Sequence, residues 1–184
     1  MLFLKKRKAI FLFLIAVLVF IASVAGCGQR EKPRGDSEES NTGPASSDKT
    51  FAPDFKLKDL FEKEVSLGDF KGKRLILNFW ATTCPYCVEE MPELNRFHKD
   101  FRDKGYAVVG INLGEDKKTV ERFIKEGDYD FIVLLDPLLE TPAHYVISGI
   151  PTTYFIDEEG VIVDIKLGAV TYNDLVDMIK VFEK

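Results

Sequence analysis

From Phe51 onward the chain alternates between short apolar runs and helix-spaced patterns, whereas the preceding residues follow neither rule. Phe55-Lys-Leu57 and Val65-Ser-Leu67 alternate with period two and predict a small hairpin or paired strands. Arg74 to Phe79 predicts a strand, Pro85 to Asp103 a helix, Ala107 to Asn112 a strand and Lys117 to Glu126 a helix. This β-α-β-α order implies a layered sheet. Phe131 to Leu135 is a further apolar run, and Leu139 to Ile147 is a short helix candidate. Thr153 to Ile156 and Val161 to Lys166 flank the turn Asp157-Glu-Glu-Gly160, which is short enough to make them an antiparallel hairpin. Tyr172 to Glu183 predicts a closing amphipathic helix. In the helix from Pro85, Cys87, Met91, Leu94 and Phe101 recur at spacings of three, four and seven, so one face is expected to be buried. Pro92 lies inside it and predicts a kink.

The start of the chain belongs to a different regime. Lys5-Lys-Arg-Lys8 precedes Ala9 to Ala25, a stretch of 17 residues without a charge, an order that marks an export signal or a membrane anchor. Val24-Ala25-Gly26-Cys27 resembles a bacterial lipobox, in which Cys27 becomes the lipidated first residue; an uncleaved membrane-spanning helix is the other possibility. Gly28 to Lys49 is rich in Ser, Gly, Pro, Glu and Lys and holds no aromatic or branched aliphatic residue, so it has nothing to bury and should be a flexible tether. The expected organisation is residues 1–27 as signal or anchor, 28–49 as linker and 50–184 as one folded domain.

Charge and cysteine usage narrow the function. The chain of 184 residues carries a formal charge of −5, and losing residues 1–26 with their four basic and no acidic side chains leaves −9, which excludes nucleic acid as a natural partner. With Cys27 assigned to lipid, the exported part keeps two thiols, Cys84 and Cys87, and no separate structural disulfide is possible. The domain must then be held by its core, which 15 Phe and abundant Val, Ile and Leu make feasible.

Trp80-Ala-Thr-Thr-Cys84-Pro-Tyr-Cys87 places the two thiols where an apolar run gives way to a helix pattern, and that is a redox arrangement. Unpaired N–H groups at a helix start favour a thiolate on the first cysteine, so Cys84 is the expected nucleophile. Cys87, one turn into the helix, can attack a mixed disulfide on Cys84 and release the partner.

These residues resemble the thioredoxin superfamily over about Phe51 to Lys184, and within it the exported, membrane-tethered thiol-disulfide oxidoreductases of the TlpA and ResA type. The likeness rests on the Trp80 to Cys87 segment, on Pro92 five residues after Cys87, and on Gly149-Ile-Pro151-Thr-Thr before a strand. Ala52-Pro-Asp-Phe55 and Phe70-Lys-Gly-Lys73 look like the family's N-terminal hairpin, and the segment from about Ala107 to Leu135 resembles the inserted β-α unit of this branch. The resemblance implies an α/β, thioredoxin-like fold: a central mixed sheet flanked by helices, with that hairpin and insertion. It further implies a cis Ile150–Pro151 bond facing the cysteines, with Ile150 and Thr152 beside it in a substrate groove that Trp80, Pro85 and Tyr86 help to form or support. Asn78 stands where ordinary thioredoxins carry a buried aspartate, and an amide cannot take a proton. Glu90, three residues after Cys87, matches a glutamate of the ResA-like branch and is the expected proton acceptor, its carboxyl raised by burial; a solvated helix glutamate is the alternative. Pro85-Tyr86 departs from the thioredoxin dipeptide and looks more like that of glutaredoxins, which does not settle direction.

The function this implies is a reductase of disulfides in exported proteins, for instance the haem-binding cysteines of apocytochrome c, fed by a transmembrane thiol donor. It needs no cofactor beyond the Cys84–Cys87 pair and no metal. The domain would sit on the extracytoplasmic side of the cell membrane. Oxidative disulfide formation is the alternative direction. A zinc site lacks a second ligand pair, because His98 and His144 are the only histidines, and a copper carrier would be expected to use a wider cysteine spacing. Peroxiredoxins place Thr or Ser three residues before the reactive cysteine and Pro seven before it, where this chain has Ala81 and Leu77.

Overall fold

In the computed structural model, which describes residues 49–183, the alternating stretches pair as an antiparallel hairpin, β1 (Lys56–Asp59) and β2 (Glu64–Ser66). There follow β3 (Arg74–Trp80), α1 (Pro85–Phe101), β4 (Tyr106–Leu113), α2 (Lys117–Gly127), β5 (Ile132–Asp136), β6 (Thr152–Ile156), β7 (Ile162–Leu167) and α3 (Tyr172–Met178). The seven strands form one sheet in the order β2-β1-β5-β4-β3-β6-β7. β3, β4 and β5 run parallel, and β6, β7, β1 and β2 add antiparallel partners on the two sides, so the sheet is mixed.

β3 reads as continuously apolar because it is central and covered on both faces. Its even-numbered residues Ile76 and Trp80 enter a cluster with α1, α2 and α3, while Leu75, Leu77 and Phe79 enter a second cluster on the other face. All three helices contribute to the first cluster, so the expected flanking by helices is one-sided. The second face is covered by Phe55, Leu57, Val65 and Phe70 from the N-terminal segment and by Tyr145. α1 buries Cys87, Glu90, Met91, Leu94, Asn95 and Phe97 and continues through Pro92. Full burial of Met91, Leu94 and Phe97 contributes roughly 1.5–3 kcal/mol each.

Some boundaries differ from expectation. Leu139 to Ile147 is not a helix but a loop with one 3-10 turn, Thr141–Ala143. Asp136 holds it by accepting the N–H groups of Glu140 and Thr141, Leu139 adopts a left-handed φ of 57°, and Tyr145 is tied down by its hydroxyl to the Pro53 carbonyl at 2.6 Å. The closing helix likewise gives way to a 3-10 turn, Ile179–Glu183. Among the described residues no helix is long and apolar enough to cross a membrane. The expected anchor, Cys27 and the linker 28–48 lie outside the described residues.

Candidate redox site

The parallel strands end on one edge of the sheet, where Trp80 pairs with Asn112 and Leu113 with Asp136, and antiparallel β6 begins there, with Thr152 opposite Phe79. The turn Ala81–Thr83 leaves β3 and delivers Cys84 as the N-cap of α1, with φ −94° and ψ 111°. Its Sγ accepts the Cys87 N–H at 3.2 Å, the bond that a helix start offers to an anion. Pro85 takes the first helical position, where its missing N–H costs nothing. Cys84 and Cys87 are joined as a disulfide with a Cα–Cα separation of 5.2 Å. Cys84 is half-buried while Cys87 is fully buried, so a partner protein can reach only the first sulfur.

The Ile150–Pro151 bond is cis, and the Ile150 carbonyl oxygen stands 3.7 Å from Cys84 Sγ. Thr152, fully buried, donates its hydroxyl to the Gly149 carbonyl at 2.6 Å and fixes the turn that carries Ile150. Tyr86 is 66% exposed beside the disulfide, as a groove residue would be. Trp80 is fully buried beneath the site, its ring 5.3 Å from that of Phe123. Gly110 makes room for it, since a Cβ there would lie 2.9 Å from Trp80 Nε1.

Glu90 is 1% exposed, whereas its neighbour Glu89 is on the surface. Its Oε1 accepts from Asn78 Nδ2 at 2.8 Å and its Oε2 from the Val170 N–H at 3.0 Å. Burial pushes the carboxyl up to about 7, against the pull of the Val170 and Asn78 bonds, so it can exchange a proton near neutrality. Asn78 also donates to Thr153 Oγ1 at 3.0 Å, which links Glu90 to β6 just beyond Pro151.

Glu115 is a site residue the sequence did not single out. Its carboxylate accepts the Thr82 N–H at 2.8 Å, the Thr82 hydroxyl at 2.6 Å and Asn112 Nδ2 at 2.6 Å, clamping the turn before Cys84 to the end of β4. In the sequence it sits beside Asp116, the N-cap of α2, and looks like ordinary helix-start chemistry. His98 is half-buried on α1 and His144 is exposed. Among the described residues no group of three or more His, Cys, Asp or Glu side chains is placed to hold a metal ion.

The family model described as Redoxin matches residues 46–179. The chain is 36% identical to the thiol-disulfide oxidoreductase ResA of Bacillus subtilis over 137 residues, 73% of this chain and 76% of that protein. It is 42% identical to the thioredoxin-like protein YneN of the same organism over 127 residues, 67% of this chain and 74% of that one. Among solved structures it resembles StoA from Bacillus subtilis, with a TM-score of 0.61 and 30% identity over 68% of this chain and 95% of that one. A putative thiol:disulfide interchange protein DsbE from Chlorobium tepidum superposes with a TM-score of 0.67 at 28% identity, over 73% of this chain and 95% of that one.

Proposed function

The chain belongs to the Redoxin family of the thioredoxin superfamily and is a thiol-disulfide oxidoreductase, and from that premise we propose that it reduces disulfides in exported proteins from the outer side of a membrane. The observation that carries the mechanism is the unequal burial of the two sulfurs, with the first beside the Ile150 carbonyl and the second beneath it in the core.

In the reduced protein the Cys84 thiolate, held by the helix start, attacks one sulfur of the substrate disulfide. A Cys84–substrate bond forms and the other substrate sulfur leaves as a thiolate. Glu90 takes the proton of Cys87, whose sulfur then attacks Cys84 Sγ and releases the second substrate sulfur. The electron pair has passed to the substrate, and the Cys84–Cys87 disulfide is the product. Pro151, Ile150 and Thr152 shape the groove, with Tyr86 and Pro85 on its rim and Trp80 as the floor.

A reductase working outside the cytoplasm needs electrons from within, so a transmembrane dithiol carrier is the implied donor. The basic Lys5–Lys8 cluster, the uncharged stretch Ala9 to Ala25 and the lipobox-like approach to Cys27 support attachment by lipid or helix, with residues 28–49 as tether and 50–184 as the working domain. The cysteine pairs of apocytochrome c are the leading substrate class by resemblance to ResA-type proteins. A Cys87→Ser chain expressed in its native cells tests this: it should accumulate mixed disulfides through Cys84 with exported proteins, and their absence would refute the assignment.

A further inference from the structure

Asn78 lies in the middle of β3, fully buried, with one side of its amide used twice and the other not at all. Its Nδ2 donates to Glu90 Oε1 and to Thr153 Oγ1, while its Oδ1 is buried and meets no donor among the described residues. An amide oxygen has two lone pairs, and a buried acceptor left empty is costly. The arrangement suits an ionised Glu90, whose Oε2 is already occupied by the Val170 N–H and whose Oε1 faces Asn78.

Protonation changes that balance. A proton on Glu90 Oε1 and aimed at Asn78 would meet the Nδ2–H that faces it head-on. A half-turn of the Asn78 amide about its last side-chain torsion removes the conflict, because Oδ1 then occupies the former Nδ2 position; Nδ2 moves to the buried spot that Oδ1 leaves, and that cost confines the turned amide to the protonated state. Its two lone pairs accept the Glu90 O–H and the Thr153 O–H, and Thr153 turns from acceptor to donor. We propose that Asn78 is a positioning residue whose amide rotates with the protonation state of Glu90, holding the proton taken from Cys87 by a hydrogen bond and reporting it to Thr153, two residues beyond Pro151. No proton passes to Asn78; the S–H bond of Cys87 breaks and the O–H bond of Glu90 forms. The proposal rests on Glu90 being the proton acceptor.

What sets this titration is burial, the Val170 N–H and the Asn78 amide. The titratable neighbours along the chain are Cys87, Glu89 and Glu93 on α1, the last accepting the Tyr172 N–H, and Tyr172 and Asp174 at the start of α3. The facing side chains of β3 and β6, Asn78 and Thr153, do not titrate.

The test uses the full chain in detergent, oxidised so that neither cysteine titrates. The Glu90 side-chain carbon and the Asn78 side-chain nitrogen are followed by NMR from about pH 5 to about pH 9, the span over which a buried carboxyl of this kind changes charge. Both should move with one midpoint, and the Asn78 signal should become flat in Glu90→Gln. In Asn78→Leu the charged carboxylate keeps only the Val170 N–H and the protonated form loses its weaker bond to Oδ1, so the Glu90 midpoint should rise, by up to about one pH unit or a tenfold change in proton affinity. If that variant does not fold, the labelled native chain decides alone. An Asn78 signal that stays flat while Glu90 titrates overturns the rotation and leaves Glu90 as acceptor. A Glu90 carbon that does not titrate overturns both.

Discussion

Replacing Glu90 with Gln should make the oxidised protein more stable at alkaline pH, by an amount fixed by the burial of the carboxyl. An unburied glutamate would titrate at 4.5, and in the folded protein Glu90 is pushed up to about 7. The folded state therefore binds this proton more tightly than the unfolded state. That contribution is complete below about pH 4.5 and is lost as pH rises through about 7. A difference of about 2.5 pH units at 1.36 kcal/mol each makes the full loss about 3.4 kcal/mol. Glutamine has the same shape and cannot ionise, so its stability lacks this term. Its amide can still meet Asn78, which is free to present Oδ1, although one bond to the pair Asn78 and Val170 is weakened at about 1 kcal/mol. His98, whose half-buried ring is held below its usual value by desolvation, favours folding as pH rises, but it is common to both proteins and cancels in the difference. The assay is urea unfolding of both oxidised proteins at about pH 4 and about pH 8 under identical salt. The advantage of Glu90→Gln over the native protein should grow by about 3 kcal/mol between those values. A difference that stays constant would mean that Glu90 ionises as a solvated group, and the proton-acceptor role would fall with it.

Three further outcomes follow from the packing. Gly110→Ala drives a Cβ to 2.9 Å from Trp80 Nε1 and 3.1 Å from the Phe131 ring, so it should cost about 1–3 kcal/mol and shift Trp80 fluorescence; an unchanged melt would contradict the close packing. Glu115→Ala strands the Thr82 N–H and hydroxyl and the Asn112 amide, and should lower stability by about 1–3 kcal/mol. The same variant should also slow exchange at Cys84 because the turn before it loosens, and normal rates would show that the clamp is dispensable. Tyr145→Phe removes the hydrogen bond to the Pro53 carbonyl and should cost about 1 kcal/mol in chemical denaturation, with the rate of thiol-disulfide exchange at Cys84 unchanged.

The redox pair, the strand before it and the helix after it were legible because their signals are local: a continuous apolar run, a proline at the first helical turn and two thiols three residues apart. The hairpins were legible for the same reason. What escaped the sequence depends on residues distant along the chain. Phe97 and Asn95 join the buried face of α1 because Tyr106 packs on the former and the Asp128 carbonyl and Asp130 N–H bond the latter. The loop from Leu139 carries a helix-like spacing of apolar residues, yet the Asp136 carboxylate and the Tyr145 anchor hold it open. Glu115 and Thr153 acquire meaning only when β4 and β6 are laid beside β3. Glu90 stood apart from Glu89 only through the resemblance, and its burial against Asn78 and Val170 supplies the physical reason.

Cys84 and Cys87 should give electrons rather than take them, and the reduction potential of the pair decides the matter. The oxidised chain is equilibrated in graded thiol buffers, and its one tryptophan, Trp80, reports the fraction reduced from beneath the disulfide. A reductase should show a value near or below that of thioredoxin, about −270 mV. A value approaching that of the oxidant DsbA, about −120 mV, would contradict it and make disulfide formation the job of the same site.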